Sequence, residues 1–203
     1  SFVRILIHAI LDKKFTKKGI TTMIYKNKPI KIGQRTISLR SAEEKDAETL
    51  LTYMKIIYGE TPYLIREPEE VTLTLEQERN FIRERAESER DLMLLVFENE
   101  THIGNCSISS LGGFSRYAHR CDMAIALYQK YCGAGIGRAV IEEALNAARD
   151  MGYEQAELEV AAGNEPAVRL YKSLGFQKYG TFPDNMKYKD GTYEDAYWMM
   201  KKL

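Results

Sequence analysis

The chain lacks any run of about 20 consecutive apolar residues, the length a bilayer-crossing helix needs, so a helical membrane span is not expected. It lacks a basic excess as well. Its 29 Lys and Arg balance 29 Asp and Glu, which argues against a dedicated nucleic-acid binder. Cysteine is scarce: Cys106, Cys121 and Cys132 are odd in number and form no CxxC pair. That pattern speaks for a reduced, cytoplasmic protein and against a disulfide scaffold or a zinc site, and no metal is expected. No repeat, low-complexity tract or linker divides the 203 residues. What is present, 44% hydrophobic and 29% charged residues, is enough for one globular core.

Charge is unevenly spread. Residues 1–40 hold ten Lys and Arg against one acid, Asp12, and the remainder is correspondingly acidic. The apolar run Phe2–Leu11 precedes its basic residues, the reverse of a secretory signal, so export is not expected. Residues 1–31 read as an N-terminal appendage with no function assigned: a packing helix, a strand, or translated sequence ahead of Met23. Residues 32–203 read as the domain proper.

From Thr36 the elements become regular. Thr36–Arg40 alternates as a strand, and Ser41-Ala42-Glu43-Glu44 fits a capping box opening a helix to about Tyr58. Gly59–Val71 reads as a loop and Thr74–Ser88 as a charged helix with a solvated face. Asp91–Glu98 and His102–Leu111 flank the turn Asn99-Glu100-Thr101, and Arg120–Tyr128 is the next strand. Helix Gly135–Met151, strand Glu154–Ala161, helix Glu165–Leu174 and strands Phe176–Thr181 and Tyr193–Lys202 follow. The class is mixed α/β: strand, two helices, three strands, helix, strand, helix, two strands.

The segment Tyr128-Gln129-Lys130-Tyr131-Cys132-Gly133-Ala134-Gly135-Ile136-Gly137-Arg138 carries three alternating glycines between a strand and an amphipathic helix. Glycine admits positive φ and close backbone approach, and amides at a helix start attract anions, so the turn suits a phosphate. Arg138 adds a possible charge-assisted contact. A Walker loop is absent. The dinucleotide fingerprint fails at Arg138 or Val140, depending on the starting glycine. The plainer alternative is a turn that merely starts a helix.

A second constellation, Asn164-Glu165-Pro166-Ala167-Val168-Arg169-Leu170-Tyr171-Lys172-Ser173-Leu174-Gly175-Phe176, follows the next strand. Together the two stretches resemble the GNAT family of N-acetyltransferases. The later motif, Asn-x-x-Ala-x-x-Leu-Tyr-x-x-x-Gly-Phe, matches at Asn164, Ala167, Leu170, Tyr171, Gly175 and Phe176. In the earlier one, Gly135 and Gly137 match while Cys132 stands where the family has Gln or Arg.

The resemblance implies a mixed, mostly antiparallel sheet of about seven strands, splayed between the fourth and fifth and flanked by about four helices. Acetyl-CoA would lie in the split as acyl donor. Its pantetheine arm would pair with Ile125, Ala126 and Leu127, and its pyrophosphate would rest on Gly133, Ala134, Gly135, Ile136, Gly137 and Arg138. Asn164 would bond that arm or a backbone group nearby. Tyr171 is placed like the family tyrosine that protonates the departing sulfur, and a phenol remains a donor at neutral pH. The context Leu158-Glu159-Val160, twelve residues before Tyr171, is similar to the ribosomal-protein N-terminal acetyltransferases and makes Glu159 the candidate base. Asp122, at the start of the fourth strand, competes with it, and a water relay is a third route.

The implied reaction is acetyl transfer from acetyl-CoA to a primary amine of a small molecule or peptide, by direct attack in a ternary complex. Tyr58–Val71 and Thr181–Tyr193 are expected to build the acceptor site. Trp198 belongs to the core or to the substrate wall. His8, His102 and His119 carry no expected role. Neither a nucleic acid nor a membrane is an expected partner, and a homodimer stays open. Two alternatives stand beside this reading: a non-catalytic acyl-CoA-binding module with the same fold, and a dinucleotide-binding oxidoreductase.

Overall fold

The computed structural model describes residue 25 and residues 28–203. The expectations for the apolar run, His8 and the start at Met23 lie outside the described residues. Strands are β1 (Lys28–Ile32), β2 (Arg35–Ser41), β3 (Leu92–Glu98), β4 (Thr101–Ser110), β5 (Arg120–Leu127), β6 (Gln155–Ala161), β7 (Gln177–Lys187) and β8 (Tyr193–Lys202). Helices are α1 (Ala47–Glu60), α2 (Leu75–Ala86), α3 (Ile136–Asp150) and α4 (Glu165–Ser173). The strands form one sheet in the order β1-β2-β3-β4-β5-β6-β8-β7. Every pairing is antiparallel except β5 with β6.

The eighth strand is β1, which crosses the expected boundary at residue 31 and pairs with β2 from Lys28↔Leu39 to Ile32↔Arg35. The turn between β3 and β4 is tighter than a three-residue loop. Asn99 and Glu100 both sit at positive φ, 47° and 70°, the conformation a two-residue hairpin demands.

Alternation along β3 divides the core. Leu92, Leu94 and Val96 face α3 and α4 in the larger cluster. Leu95 faces the other way, into a smaller cluster with Leu50 of α1 and Ile82 of α2. The stripe of α3 predicted from helical spacing is fully sequestered: Ile136, Val140, Ile141 and Ala144 have no exposed surface.

Three local expectations are corrected. The cap before α1 lies two residues later than expected. Asp46 accepts from the Glu43 amide at 2.8 Å, while the Ser41 hydroxyl accepts from the Tyr25 amide at 2.9 Å and Ser41 itself ends β2. Arg40 fixes the arrangement by donating both guanidinium arms to Asp46, each at 2.7 Å. Helix α2 is not solvated throughout, since Glu78 is buried. Strand β7 runs six residues past Thr181. Register shifts at Lys178/Gly180 and Phe182/Met186 bend it while pairing with β8 continues.

Candidate active site

The parallel pairing of β5 with β6 covers only Arg120↔Gln155, Cys121↔Ala156 and Asp122↔Glu157. Beyond Asp122 the strands separate, so a split opens between them. Tyr128 N donates to Ile103 O at 3.0 Å on the β4 side. Hydrogen-bonded and non-bonded pairs alternate along an antiparallel ladder, so Asn105↔Ala126 is a bonded pair and Cys106↔Ile125 and Gly104↔Leu127 are not. The backbone groups of Ile125 and Leu127 therefore turn into the split. Those of Ala126 turn to β4, where its carbonyl also accepts from Tyr53 Oη at 2.8 Å.

Downstream of β5 the chain turns through Gly133 (φ 76°) and Gly135 (φ 81°), two left-handed conformations that a Cβ strains. The first helical bond of α3 runs from Ala139 N to Gly135 O at 3.2 Å. None of the amides from Gly133 to Arg138 donates to another described residue. Amides without a backbone partner at the positive end of a helix dipole are the arrangement that attracts an anion such as a phosphate. The side chains around it contribute little. Arg138 donates to Ser173 Oγ at 2.6 Å and lies 3.6 Å from Glu142. The Cys132 thiol reaches only the Leu127 and Tyr128 carbonyls, at 3.8 Å.

Helix α4 begins at Asn164, whose Oδ1 accepts from Ala167 N at 3.3 Å. Asn164 thus holds a backbone amide in the first turn of its own helix. Two turns on, Tyr171 is buried with its ring edge-on to Phe176, centroids 5.8 Å apart. Burial raises its hydroxyl pKa, and the nearby Asp122 carboxylate pushes the same way. The phenol thus stays protonated, and no described residue accepts its proton.

On the opposite face of the sheet lies a groove of about 1640 Å³. Tyr58, Pro62 and Arg66 line it from the α1–α2 segment, and Phe182, Asn185 and Tyr188 line it from β7 and its turn. This brings together the two segments expected to build an acceptor site. They touch: Tyr188 Oη donates to Pro62 O at 3.2 Å, and Lys189 reaches Glu67 at 3.1 Å. Phe114 and Tyr117 of the β4–β5 loop, which the sequence reading passed over, add a third wall.

Asp122, Glu157 and Glu159 line the floor of the groove. Glu157 is not an available base. Burial pushes its carboxyl up, but the Arg120 fork and the Gln155 amide override that and hold it below the usual carboxylate range. One arm of that fork is Arg120 Nη2 to Glu157 Oε2 at 2.7 Å, and the other is Arg120 Nε to Oε1. Glu159 is oriented differently. Its Oε1 accepts from Asn185 Nδ2 at 3.1 Å and its Oε2 from Trp198 Nε1 at 2.9 Å. An ionised carboxylate has about four lone-pair sites, so these two bonds fix the group and leave acceptor capacity.

Trp198 owes its position to register. It lies opposite Glu159 on β6 and opposite Gly180 on β7. A Cβ at Gly180 would come within 3.1 Å of the indole, so glycine there lets the ring lie across the strand. Trp198 therefore belongs to the groove wall. Its tie to Glu159, the Asn185 contact and the Arg120–Glu157 pair were invisible to sequence reading, because each joins strands far apart in the chain. His119 sits at the loop-to-strand junction, where its carbonyl accepts from Glu154 N and Gln155 N. His102 is buried, with Nε2 2.7 Å from Asn105 Oδ1. Among the described residues no group of three His, Cys, Asp or Glu is arranged to hold a metal, and no helix is long and apolar enough to cross a membrane.

The model of the acetyltransferase (GNAT) family matches residues 53–176. An N-alpha-acetyltransferase of Sulfurisphaera tokodaii is 37% identical over 82 residues, 40% of this chain and 47% of that protein. The matched stretch thus spans about half of that relative's length. A GNAT-family acetyltransferase structure from Streptococcus pneumoniae superposes with a TM-score of 0.78 at 28% identity, covering 82% of this chain and 99% of that one. A Salmonella typhimurium protein solved with its cofactor acetyl-CoA shares the fold, with a TM-score of 0.71 at 19% identity over 82% of this chain and 94% of that one.

Proposed function

Because the chain belongs to the acetyltransferase (GNAT) family, we propose that it transfers acetyl from acetyl-CoA to a primary amine of a small molecule or peptide, by direct attack in a ternary complex. The observation that carries this reading is the split after Asp122, with a backbone anion cradle at one end and a carboxylate-floored groove on the other face.

The residues present fit the cosubstrate. The amides of Gly133 to Arg138 would hold its pyrophosphate, and the backbone groups of Ile125 and Leu127 would pair with its pantetheine arm. Acetyl-CoA would supply the activated acetyl thioester. Glu159, held by Trp198 and Asn185, takes a proton from the incoming ammonium and so exposes the amine lone pair. Asp122, at the apex of the split, is the second candidate for that proton. Tyr171 Oη, protonated in its buried site, gives a proton to the departing sulfur. The three cysteines, odd in number and without a CxxC pair, favour a reduced compartment such as the cytoplasm.

The test has two parts. Acetyl-CoA should raise the melting temperature while NAD does not, because only a ligand of the native state stabilises it. An amine and peptide panel should then release free CoA. Stabilisation by acetyl-CoA with no CoA released by any amine would refute the catalytic reading.

A further inference from the structure

Three aromatic rings line the groove beside Glu159: Trp198, Phe182 and Tyr179. Each keeps a large exposed fraction, 37%, 45% and 55% respectively, although each could bury well over 100 Å² of apolar surface. They are not scattered. The indole and the Phe182 ring lie within 14° of parallel at 5.7 Å, and the indole and the Tyr179 ring within 27° at 6.3 Å. The bulge at Tyr179 and the missing side chain at Gly180 make this possible by letting the indole settle between its neighbours. The result is a continuous ring platform whose central member donates to the candidate base.

Resting on the transferase reading above, we infer that the platform selects the acceptor: a primary amine carrying a flat apolar group, such as an aryl ring, near its nitrogen. The ring would pack against the exposed side of this Trp198–Phe182 stack while the amine reaches Glu159, two positions that the Trp198–Glu159 bond holds in fixed relation. A polyamine would be attracted by the carboxylates of the groove, since the Arg120 guanidinium is already paired with Glu157, but it offers the rings no flat face to cover.

The experiment uses the full chain and two readouts. Trp198 is the sole tryptophan, so emission reports on the platform directly. With CoA present, phenethylamine should change the emission saturably and ethanolamine should not. In steady state, kcat/KM for phenethylamine should exceed that for ethanolamine by about 10-fold or more. Phe182→Ala should erase most of that preference by lowering kcat/KM for phenethylamine about 10-fold, the ratio of the two amines being the readout.

Equal kcat/KM for the two amines, or a preference for spermidine, overturns the inference. So does an emission that phenethylamine leaves unchanged while ethanolamine is acetylated, and in that case the transferase reading stands. A saturable emission change with no acetylation of any amine supports the platform and removes the transferase reading. Silence in both readouts overturns both.

Discussion

The turn at Gly133–Arg138 and the groove over β6, β7 and β8 serve one split, yet they are made of different material. The turn presents backbone amides, its conformation is set by two positive-φ glycines, and its side chains point elsewhere. The groove presents side chains: a carboxylate gripped by an amide and an indole, a ring platform and an arginine fork. A backbone site is specified by local φ and by where a helix starts, and it tolerates changes in most neighbouring side chains. A side-chain site depends on residues from distant strands arriving in register.

That contrast can be broken most sharply at the two groups proposed to move protons. Tyr171→Phe and Glu159→Gln should each lower kcat by about 10²-fold or more, with KM for acetyl-CoA nearly unchanged, as steady-state kinetics will show. A parallel rise in KM would mean that the two halves are not separable. Next, Gly135→Val forces a β-branched residue to φ near 81° and should raise KM for acetyl-CoA by about 10-fold or more. KM for the amine should be spared.

A third effect lies behind the groove, where buried Glu78 faces Arg66 and Tyr58. Burial raises its carboxyl to about 7, with the Arg66 charge opposing, from an ordinary 4.5. Between those values the native state keeps a proton that the unfolded chain releases, so stability falls as pH rises through this window and the loss is complete above about 7. Glu78→Gln does not titrate. Relative to the parent it should gain on the order of 1–2 kcal/mol at about pH 8 and little at about pH 5, in melts at both values. An equal difference at the two values would refute this. The smallest effect is expected at Cys132→Ala, less than about 2-fold in KM for acetyl-CoA, because the cradle is backbone and the thiol touches only carbonyls at 3.8 Å. A large rise there would make the cradle side-chain dependent after all.

How legible each half was follows from the same distinction. The order of elements from β2 onward and the apolar stripe of α3 could be read in advance, because period, caps and glycine placement act over a few residues. Of the three residues expected to pair with the pantetheine arm, ladder alternation turns the backbone of Ala126 toward β4 and leaves Ile125 and Leu127 facing the split. The Ser41 capping box failed because Tyr25, sixteen residues away, takes the hydroxyl. The charged look of α2 hid Glu78, whose burial depends on what α1 and the following loop lay over it.

The sequence by itself determined the alternation of strands and helices and the glycine turn that opens α3, both consequences of backbone preferences within a dozen residues. Only the tertiary structure decided which carboxylates are oriented and which are neutralised. Trp198 meets Glu159 across 39 residues of chain, and Arg120 meets Glu157 across 37. Such meetings are fixed by the register of β8 on β6 and of β5 beside β6, which is set by the packing of whole sheet faces and carries no local signature.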